Sequence, residues 1–411
     1  MLFLPLAVSS STFAIRLALG LALALLPALV CAQPAIDDAQ DARIHLGPVA
    51  LDPRLSIGNV GVDTNVFNQA NTPVRDFTIT AGPQLDSWFR VGRLAWAGTS
   101  SASWTYFRRT ATERTFNAGQ SGRVQLDLGY VVPFAQGVLE RGRQRPNLEI
   151  DARVRRDMTI ASGGLDLLMG PRTTVTLEYG ERDFRYGDVD NEGLSFARTL
   201  DRREELGTVR GRVVLTPLTS IAVEATSRRD RFRFSPERNG ESAAITGAVE
   251  FRPLALIAGR AVVGVRRFDP VDAEVPDYTG VVSDVELSYQ LRDLTRFVVT
   301  VRRDLDYSFE SLQAYYVSTG TRLSLVQALG ASWDVIGHVG RTDLDYRART
   351  GGAVAEAGRS DLVTVYGLGL GRRLGTDIRV GLDVEYASRD SNVPIRAYEG
   401  LRGGGSFSYG F

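Results

Sequence analysis

The sequence predicts an all-β fold, specifically a transmembrane antiparallel up-and-down β-barrel of about 18 strands. Three observations predict it. Segments that alternate apolar and polar residues recur after about residue 55, short turns and longer polar loops alternate between them, and an apolar N-terminal segment predicts export. Segments of about ten alternating residues joined in this way are typical of outer-membrane barrels.

The strand prediction rests on a period of two, because successive side chains of a strand point to opposite faces. The clearest segment is 377–389, and 281–291, 296–309 and 315–325 repeat its pattern. A helical period does not accommodate any of them. In 377–389, one face carries Ile378, Val380, Leu382, Val384 and Tyr386, and the other carries Arg379, Asp383, Glu385 and Arg389.

The connections give the strand count. Short ones include 90–93, 170–173, 216–220, 252–256, 291–295, 327–332 and 374–377, whereas long polar ones include 187–199, 235–242, 269–280, 347–360 and 388–399. This alternation predicts about 18 strands with both ends on the short-turn side. Sixteen is the competing count, because the pattern is blurred between 115 and 160. A turn at 130–134 and a loop at 143–147 would complete a hairpin there.

The N-terminus predicts a cleaved signal peptide. Arg16 precedes a Leu/Ala run over 17–30, which is too short to span a bilayer comfortably, and Val30-Cys31-Ala32 offers a cleavage site. Lipidation of Cys31 is the alternative, but Val30 is larger than the residue that normally precedes a lipidated cysteine. We therefore expect a signal peptide over 1–32, a short periplasmic leader over 33–50 and an outer-membrane barrel over 51–411, located in the outer membrane of a Gram-negative cell.

Composition excludes several classes of protein. The chain has 411 residues, 48 acidic and 48 basic groups, and no lysine, so all of its basic side chains are arginines. The charge balance argues against a nucleic-acid partner. One cysteine and two histidines exclude a disulfide framework and leave little material for a metal centre, so we expect no cofactor.

A soluble β-sandwich explains local alternation equally well, since its polar faces would lie in water. Two features favour the barrel besides the turn and loop asymmetry. The last strand alternates and carries Phe407, Tyr409 and Phe411 on one face, which predicts a signal for the barrel assembly machinery. Aromatic residues at strand ends on the apolar side also predict membrane girdles, namely Trp96, Trp104, Tyr106, Phe309, Tyr315 and Tyr386.

A barrel of 16 to 18 strands keeps an aqueous lumen. The polar phase of the strands carries both signs of charge, and Gly367, Gly369 and Gly371 on that phase predict an unnarrowed bore. Two arginines on the apolar phase, Arg267 and Arg303, are tolerable near a headgroup boundary. The candidate lumen-lining residues, which either contact solute or pair across strands to stiffen the wall, are Arg260, Arg266, Asp284, Glu286, Arg296, Arg302, Asp304, Asp306, Arg322, Arg379, Asp383, Glu385 and Arg402.

Other chemistry is weakly indicated. His338 lies in a strand that also contains Asp334 and Asp343, but a lone strand histidine is more often a wall residue than a catalyst. The run Asp63-Thr64-Asn65 favours a turn over a cation site. We therefore expect no enzymatic activity.

Several motifs along the chain resemble one family. They are Gly61-Val62-Asp63-Thr64-Asn65-Val66-Phe67, Arg145-Pro146 with Glu149-Ile150-Asp151, Leu215-Thr216-Pro217-Leu218-Thr219, Arg231-Phe232-Arg233-Phe234-Ser235-Pro236 and Tyr398-Glu399-Gly400-Leu401-Arg402. With them the chain resembles the putative beta-barrel porin 2 family over about residues 47–411. The resemblance implies an outer-membrane pore linked to exopolysaccharide export, and it carries over no functional residues.

Two functions are predicted at this point. The first is secretion of an exopolysaccharide, with polysaccharide export components as partners besides outer-membrane lipids. The alternative is a passive diffusion porin for uptake of small hydrophilic solutes. The sequence does not identify the cargo, the direction of transport or the loop that would form a constriction.

Overall fold

The computed structural model describes residues 39–40, 42–187, 195–252, 256–310, 312–350 and 358–410. No helix in this part of the chain is long and apolar enough to span a membrane. The strands are β1 Ile44–Leu46, β2 Val49–Asp63, β3 Asp76–Val91, β4 Leu94–Phe107, β5 Thr115–Leu126, β6 Val131–Gln144, β7 Val154–Leu168, β8 Thr173–Tyr186, β9 Arg202–Thr216, β10 Thr219–Phe232, β11 Gly240–Phe251, β12 Ile257–Pro270, β13 Tyr278–Leu291, β14 Thr295–Tyr307, β15 Gln313–Leu329, β16 Trp333–Ala348, β17 Ser360–Leu374, β18 Ile378–Ser391 and β19 Tyr398–Tyr409; a short helix, α1, spans Phe196–Leu200.

Strands β2 to β19 form one closed antiparallel sheet in which each strand pairs with the next along the chain. The ring is completed by β19 and β2, where Arg402 lies opposite Asp63 and Tyr409 lies opposite Leu55. Gly403 and Gly404 approach Gly61 so closely at this seam that a Cβ on Gly61 would overlap the Gly403 carbonyl. The predicted 18-strand up-and-down barrel is confirmed.

The blurred region resolves into a full hairpin, which decides against sixteen strands. A turn at 127–130 joins β5 to β6, and a loop at 145–153 joins β6 to β7. Both lie close to the predicted turn and loop. Between β2 and β19, the strand bounds therefore give eight short connections at one end of the barrel and nine longer ones at the other.

Short turns are made by residues that tolerate a left-handed backbone. Gly92, Gly330 and Gly375 have φ of 56°, 68° and 73°, a region in which a side chain is strained. These glycines let the chain reverse within a few residues. The strands they join consequently keep the neighbouring registers of an up-and-down barrel.

Apart from the outer ends of β14 and β15, the apolar face of the strands points away from the barrel axis. On β18, Leu382 is 69% exposed whereas Arg379 is 4% exposed, the reverse of a soluble protein. Arg267 and Arg303 also point outward, within the last third of β12 and β14 towards the long loops. The sandwich alternative is excluded, because one closed sheet presents its apolar side chains to the outside.

The aromatic prediction holds for only part of its set. Trp104 is an exposed outward residue, as a girdle residue would be. Phe309 and Tyr315, in contrast, are each 1% exposed within an interior apolar cluster. Their assignment to a girdle was wrong, because inward-folded loops cover the ends of β14 and β15.

The described part of the leader lies against the short-turn end of the barrel. β1 pairs with the start of β2, below the last pairing of β19. Ala42 packs with Ala50, Trp88 and Ala97. Arg43 forms an ion pair with Asp52. The predicted signal peptide and Phe411 lie outside the described residues.

Candidate functional site

The lumen is the candidate site, and strand alternation sets what faces it. All thirteen candidate residues lie on the phase opposite to the exposed apolar side chains. They come from strands that are far apart in sequence, because closure of the sheet brings β12 to β19 around one water-filled space. The structure brings them to one surface, although not to one cluster.

Nine of the candidates are held by partners. These contacts link neighbouring strands or strands two apart, so they stiffen the wall. They are Arg260 with Glu250 at 3.5 Å, Arg266 with Asp304, Arg302 with Asp284 at 3.2 Å, Arg379 with Asp334 at 2.7 Å, Asp383 with the Ser406 hydroxyl at 2.6 Å, Glu385 with His338 at 3.3 Å, and Arg402 with Asp63 at 2.9 Å.

Four candidates, Glu286, Arg296, Asp306 and Arg322, have no ion pair or side-chain hydrogen bond within the described chain. Glu286 and Arg322 both flank Thr300, one from β13 and one from β15. Arg296 lies nearer the short turns and Asp306 nearer the long loops. We call these four the free-charge track, since they lie on the polar phase of β13 to β15 and no described side chain forms an ion pair or a hydrogen bond with them.

A different surface faces the lumen on β3 to β5. Its inward positions carry only hydroxyl, amide or glycine groups over a stretch in the middle of the strands, so it donates and accepts neutral hydrogen bonds. We call it the neutral wall. Its residues are Thr80, Gly82, Gln84, Thr99, Ser101, Ser103, Thr105, Asn117, Gly119 and Ser121.

The three inward glycines of β17 do not widen the bore. A Cβ on Gly367 would overlap the His338 ring, a Cβ on Gly369 the Asp383 carboxylate, and a Cβ on Gly371 the Arg379 guanidinium. Side chains from β16 and β18 therefore lie flat over β17. The expectation that these glycines leave the bore unnarrowed was wrong, because the space above each glycine is occupied by a side chain from a neighbouring strand.

The loop 145–153 crosses the outer end of the lumen, and we call it the crossing loop. On one side, Arg145 donates to the Val66 carbonyl at 2.7 Å. On the other, the Ser308 hydroxyl donates to Glu149 at 2.6 Å, and Leu148 packs against Tyr316. The hairpin β14–β15 lies across the barrel from β6–β7, so the loop bridges the lumen.

Arg389 anchors the crossing loop from β18. Its guanidinium donates to the Leu148 carbonyl at 2.8 Å and pairs with Asp151, and it stacks over the Tyr398 ring. The side chain is fully buried. Arg389 lies on the predicted polar phase but is not among the thirteen candidates, since its partners lie 238 and 241 residues away and no local pattern indicates them.

Glu149 is the buried acid of the crossing loop, with a side chain 0% exposed. Its carboxylate also accepts from the Phe309 amide at 3.1 Å, and Arg359 lies 3.7 Å away. Burial raises the pKa of Glu149 to about 7, while the Ser308 hydroxyl and the Arg359 charge act in the opposite direction. The loop thus contains a group that titrates near neutral pH.

Four outer connections, the crossing loop among them, pack with the ends of neighbouring strands into one apolar core. Phe196 of α1 lies 5.3 Å from Phe309 between ring centroids, and Ile150, Phe232 and Val275 belong to the same cluster. Arg238 is buried against it and donates to the carbonyls of Ser308 and Ala314. The outer half of this side of the lumen is consequently packed with protein.

The weaker candidates behave as structural groups. Asp63 accepts from the Asn65 amide at 2.9 Å and so forms a turn. His338 faces Glu385 in the lumen wall. In the described part of the chain, no group of three or more His, Cys, Asp or Glu residues is placed to hold a metal ion.

Comparison with known proteins identifies the family. The family model described as Putative beta-barrel porin 2 matches residues 41–404. The chain belongs to this family. Family and fold together place the protein in the outer membrane as a porin-like barrel, as the resemblance predicted. Among curated proteins, none matches the chain.

Solved structures share the fold at low sequence identity. A BenF-like porin from Pseudomonas fluorescens Pf-5 is similar with a TM-score of 0.50 and 9% identity, covering 89% of this chain and 98% of that one. OpdK from Pseudomonas aeruginosa has a TM-score of 0.48 and 12% identity, covering 89% and 99%. The similarity to the BenF-like porin supports the barrel fold alone.

Proposed function

We propose that this barrel is a channel without catalytic chemistry that conducts an exopolysaccharide outward across the outer membrane. The observation that supports it most is the two-sided lumen, in which the neutral wall presents hydroxyl and amide groups and the free-charge track includes Arg296 and Arg322. Guanidinium groups contact carboxylates, sulfates and sugar hydroxyls through planar, multi-donor hydrogen bonds. The family's link to exopolysaccharide export, implied by the resemblance, points the same way.

The proposal includes partners. The barrel assembly machinery would insert the chain through its last strand, and components of a polysaccharide synthesis and export system would deliver the polymer. A chain of sugars passing the outer end would have to displace the crossing loop. The anchoring contacts of Arg389 and Glu149 are therefore the contacts that a passing polymer would replace.

A passive porin for small hydrophilic solutes is the second candidate. The observation that favours it is the crossing loop itself, which narrows the outer end and would admit a small solute without moving. The genes beside this one would help to separate the candidates. Glycosyltransferases or chain-length regulators favour export, whereas catabolic enzymes favour uptake.

Conductance in planar bilayers tests the proposal. Purified protein should pass ions, and an acidic polysaccharide added on the periplasmic side should reduce the current more than a neutral polymer of equal length does. An Arg322→Gln variant should lose part of that difference, and Arg341→Gln, an outward residue, should keep it. Equal currents with and without polymer, together with normal capsule in a deletion strain, would reject export.

A further inference from the structure

The outer surface of β8 to β10 carries a cluster of arginines near the long loops. Arg185, Arg203, Arg231 and Arg233 all point outward or lie at the strand ends. The Asp183 carboxylate forms ion pairs with three of them. It lies 3.0 Å from Arg185, 4.0 Å from Arg203 and in contact with Arg233. We call these four arginines the outer arginine cluster.

The register places two arginines of this cluster against each other. Arg203 lies directly opposite Arg231 across the β9–β10 pair, and like charges in that relation destabilise a sheet. Glu181 lies 3.5 Å from Arg203. Arg231 is exposed and has no ion pair with any described residue. An anion bound between Arg203 and Arg231 would relieve the repulsion.

Apolar side chains lie directly below the cluster. Tyr179 is 58% exposed, and Leu177 on β8 lies opposite Val209 on β9, both exposed. Arg203 is four residues above the Gly207–Tyr179 row, which corresponds to about 13 Å along a strand. One ligand with an anionic head and a long apolar tail would therefore contact both surfaces.

We propose that the outer arginine cluster binds the phosphate groups of a phosphorylated glycolipid of the outer leaflet. The guanidinium groups bind phosphate oxygens in paired hydrogen bonds, and the acyl chains lie on Leu177, Tyr179 and Val209. The cluster is on the long-loop side, which in outer-membrane barrels faces the exterior. The proposal needs the outer-membrane location and does not depend on what the lumen transports.

The test measures lipid binding to the full-length barrel in detergent by native mass spectrometry. The probes are a bis-phosphorylated lipid A, the same lipid without phosphates, and inorganic phosphate. Wild-type protein should bind the phosphorylated lipid at least about tenfold more tightly than the dephosphorylated one, because each charge-assisted contact is strong. The Arg203→Gln/Arg231→Gln variant should lose that preference.

The matched control is Arg341→Gln/Arg347→Gln, which removes two outward arginines that have their own carboxylates, Asp343 and Asp345. It should keep the preference for the phosphorylated lipid. Gel mobility before and after heating checks that both variants fold as barrels. Equal binding of the two lipids by wild-type protein, equal loss in both variants, or binding of inorganic phosphate as tight as that of the lipid would overturn the proposal.

Discussion

Two sectors of the barrel wall differ on both of their faces. Strands β3 to β5 carry the neutral wall inside and exposed Trp104 and Phe116 outside, whereas strands β8 to β16 carry most of the charged side chains inside and arginine–carboxylate pairs at their outer ends. Both sectors obey the same alternation. The period of two therefore determines which face of each strand points into the lumen. The residue types on each face then determine which chemical groups are presented to the lumen and to the lipid.

The two sectors also differ in how they meet the crossing loop. The charged side receives Glu149 and Leu148 in packed pockets. Near the neutral side, the loop is held by arginines that donate to the Val66 carbonyl. The outer end of the channel is thus narrowed mainly from the charged sector.

Replacing the anchor should have the largest effect. Arg389→Ala removes the buried cation and leaves Asp151 without its partner, so we expect a loss of about 3–5 kcal/mol in unfolding free energy and a larger open current. Thermal unfolding and bilayer conductance measure the two outcomes. Arg347→Ala, an exposed outward arginine, is the control and should change neither. An unaltered current in Arg389→Ala would show that the loop does not restrict the pore.

Acidification should favour docking of the crossing loop. The docked Glu149 carboxyl has a pKa of about 7 against 4.5 in its ordinary state, so the docked form holds its proton at higher pH than the free loop does. Docking is therefore strongest below pH 4.5 and weakens as the pH rises to 7, by at most about tenfold in the equilibrium constant per pH unit. Conductance recorded from pH 5 to 8 should rise, and Glu149→Gln should flatten the curve. A wild-type current independent of pH contradicts this prediction.

An alanine substitution on β17 tests how tightly the charged side chains of the neighbouring strands are packed. Gly371→Ala places a methyl group where the Arg379 guanidinium lies and pushes that guanidinium away from buried Asp334. We expect a cost of about 1–3 kcal/mol, the usual range for overpacking. The control is Gly337→Ala on β16, where an added Cβ meets nothing. Equal melting temperatures for the two variants would mean that Arg379 can shift freely.

Exchanging charge between the sectors should give the smallest effect. Arg322→Gln removes a free charge and Ser101→Arg adds one to the neutral wall, so we expect opposite shifts in anion against cation selectivity. Each should change the stability by less than about 1 kcal/mol, because neither residue has a buried charged partner. Reversal potentials in a salt gradient measure the shifts. Shifts of the same sign would mean that the local potential is not set by these positions.

The alternation was sufficient to predict the closed barrel. It did not predict the crossing loop, because Glu149 meets Ser308 and Arg389 meets Leu148 at separations of 159 and 241 residues. Such contacts exist only after the sheet closes. The same cause explains Phe309 and Tyr315, whose strand-end positions resemble those of girdle residues until loops cover them. The placement of the His338 ring over Gly367 was likewise not predicted, because it depends on the side-chain conformation that His338 adopts.

The seam between β19 and β2 has a consequence for incomplete chains. Its pairing joins residues that are between 339 and 354 positions apart, and at Gly61 the two backbones approach too closely for any side chain to intervene. A polypeptide that ended before residue 398 would lack β19. It would keep two unpaired strand edges in the hydrocarbon core of the membrane, where each unsatisfied backbone amide or carbonyl costs several kcal/mol. Closure of the wall therefore depends on β19, because its pairing with β2 is what removes the last two unpaired strand edges.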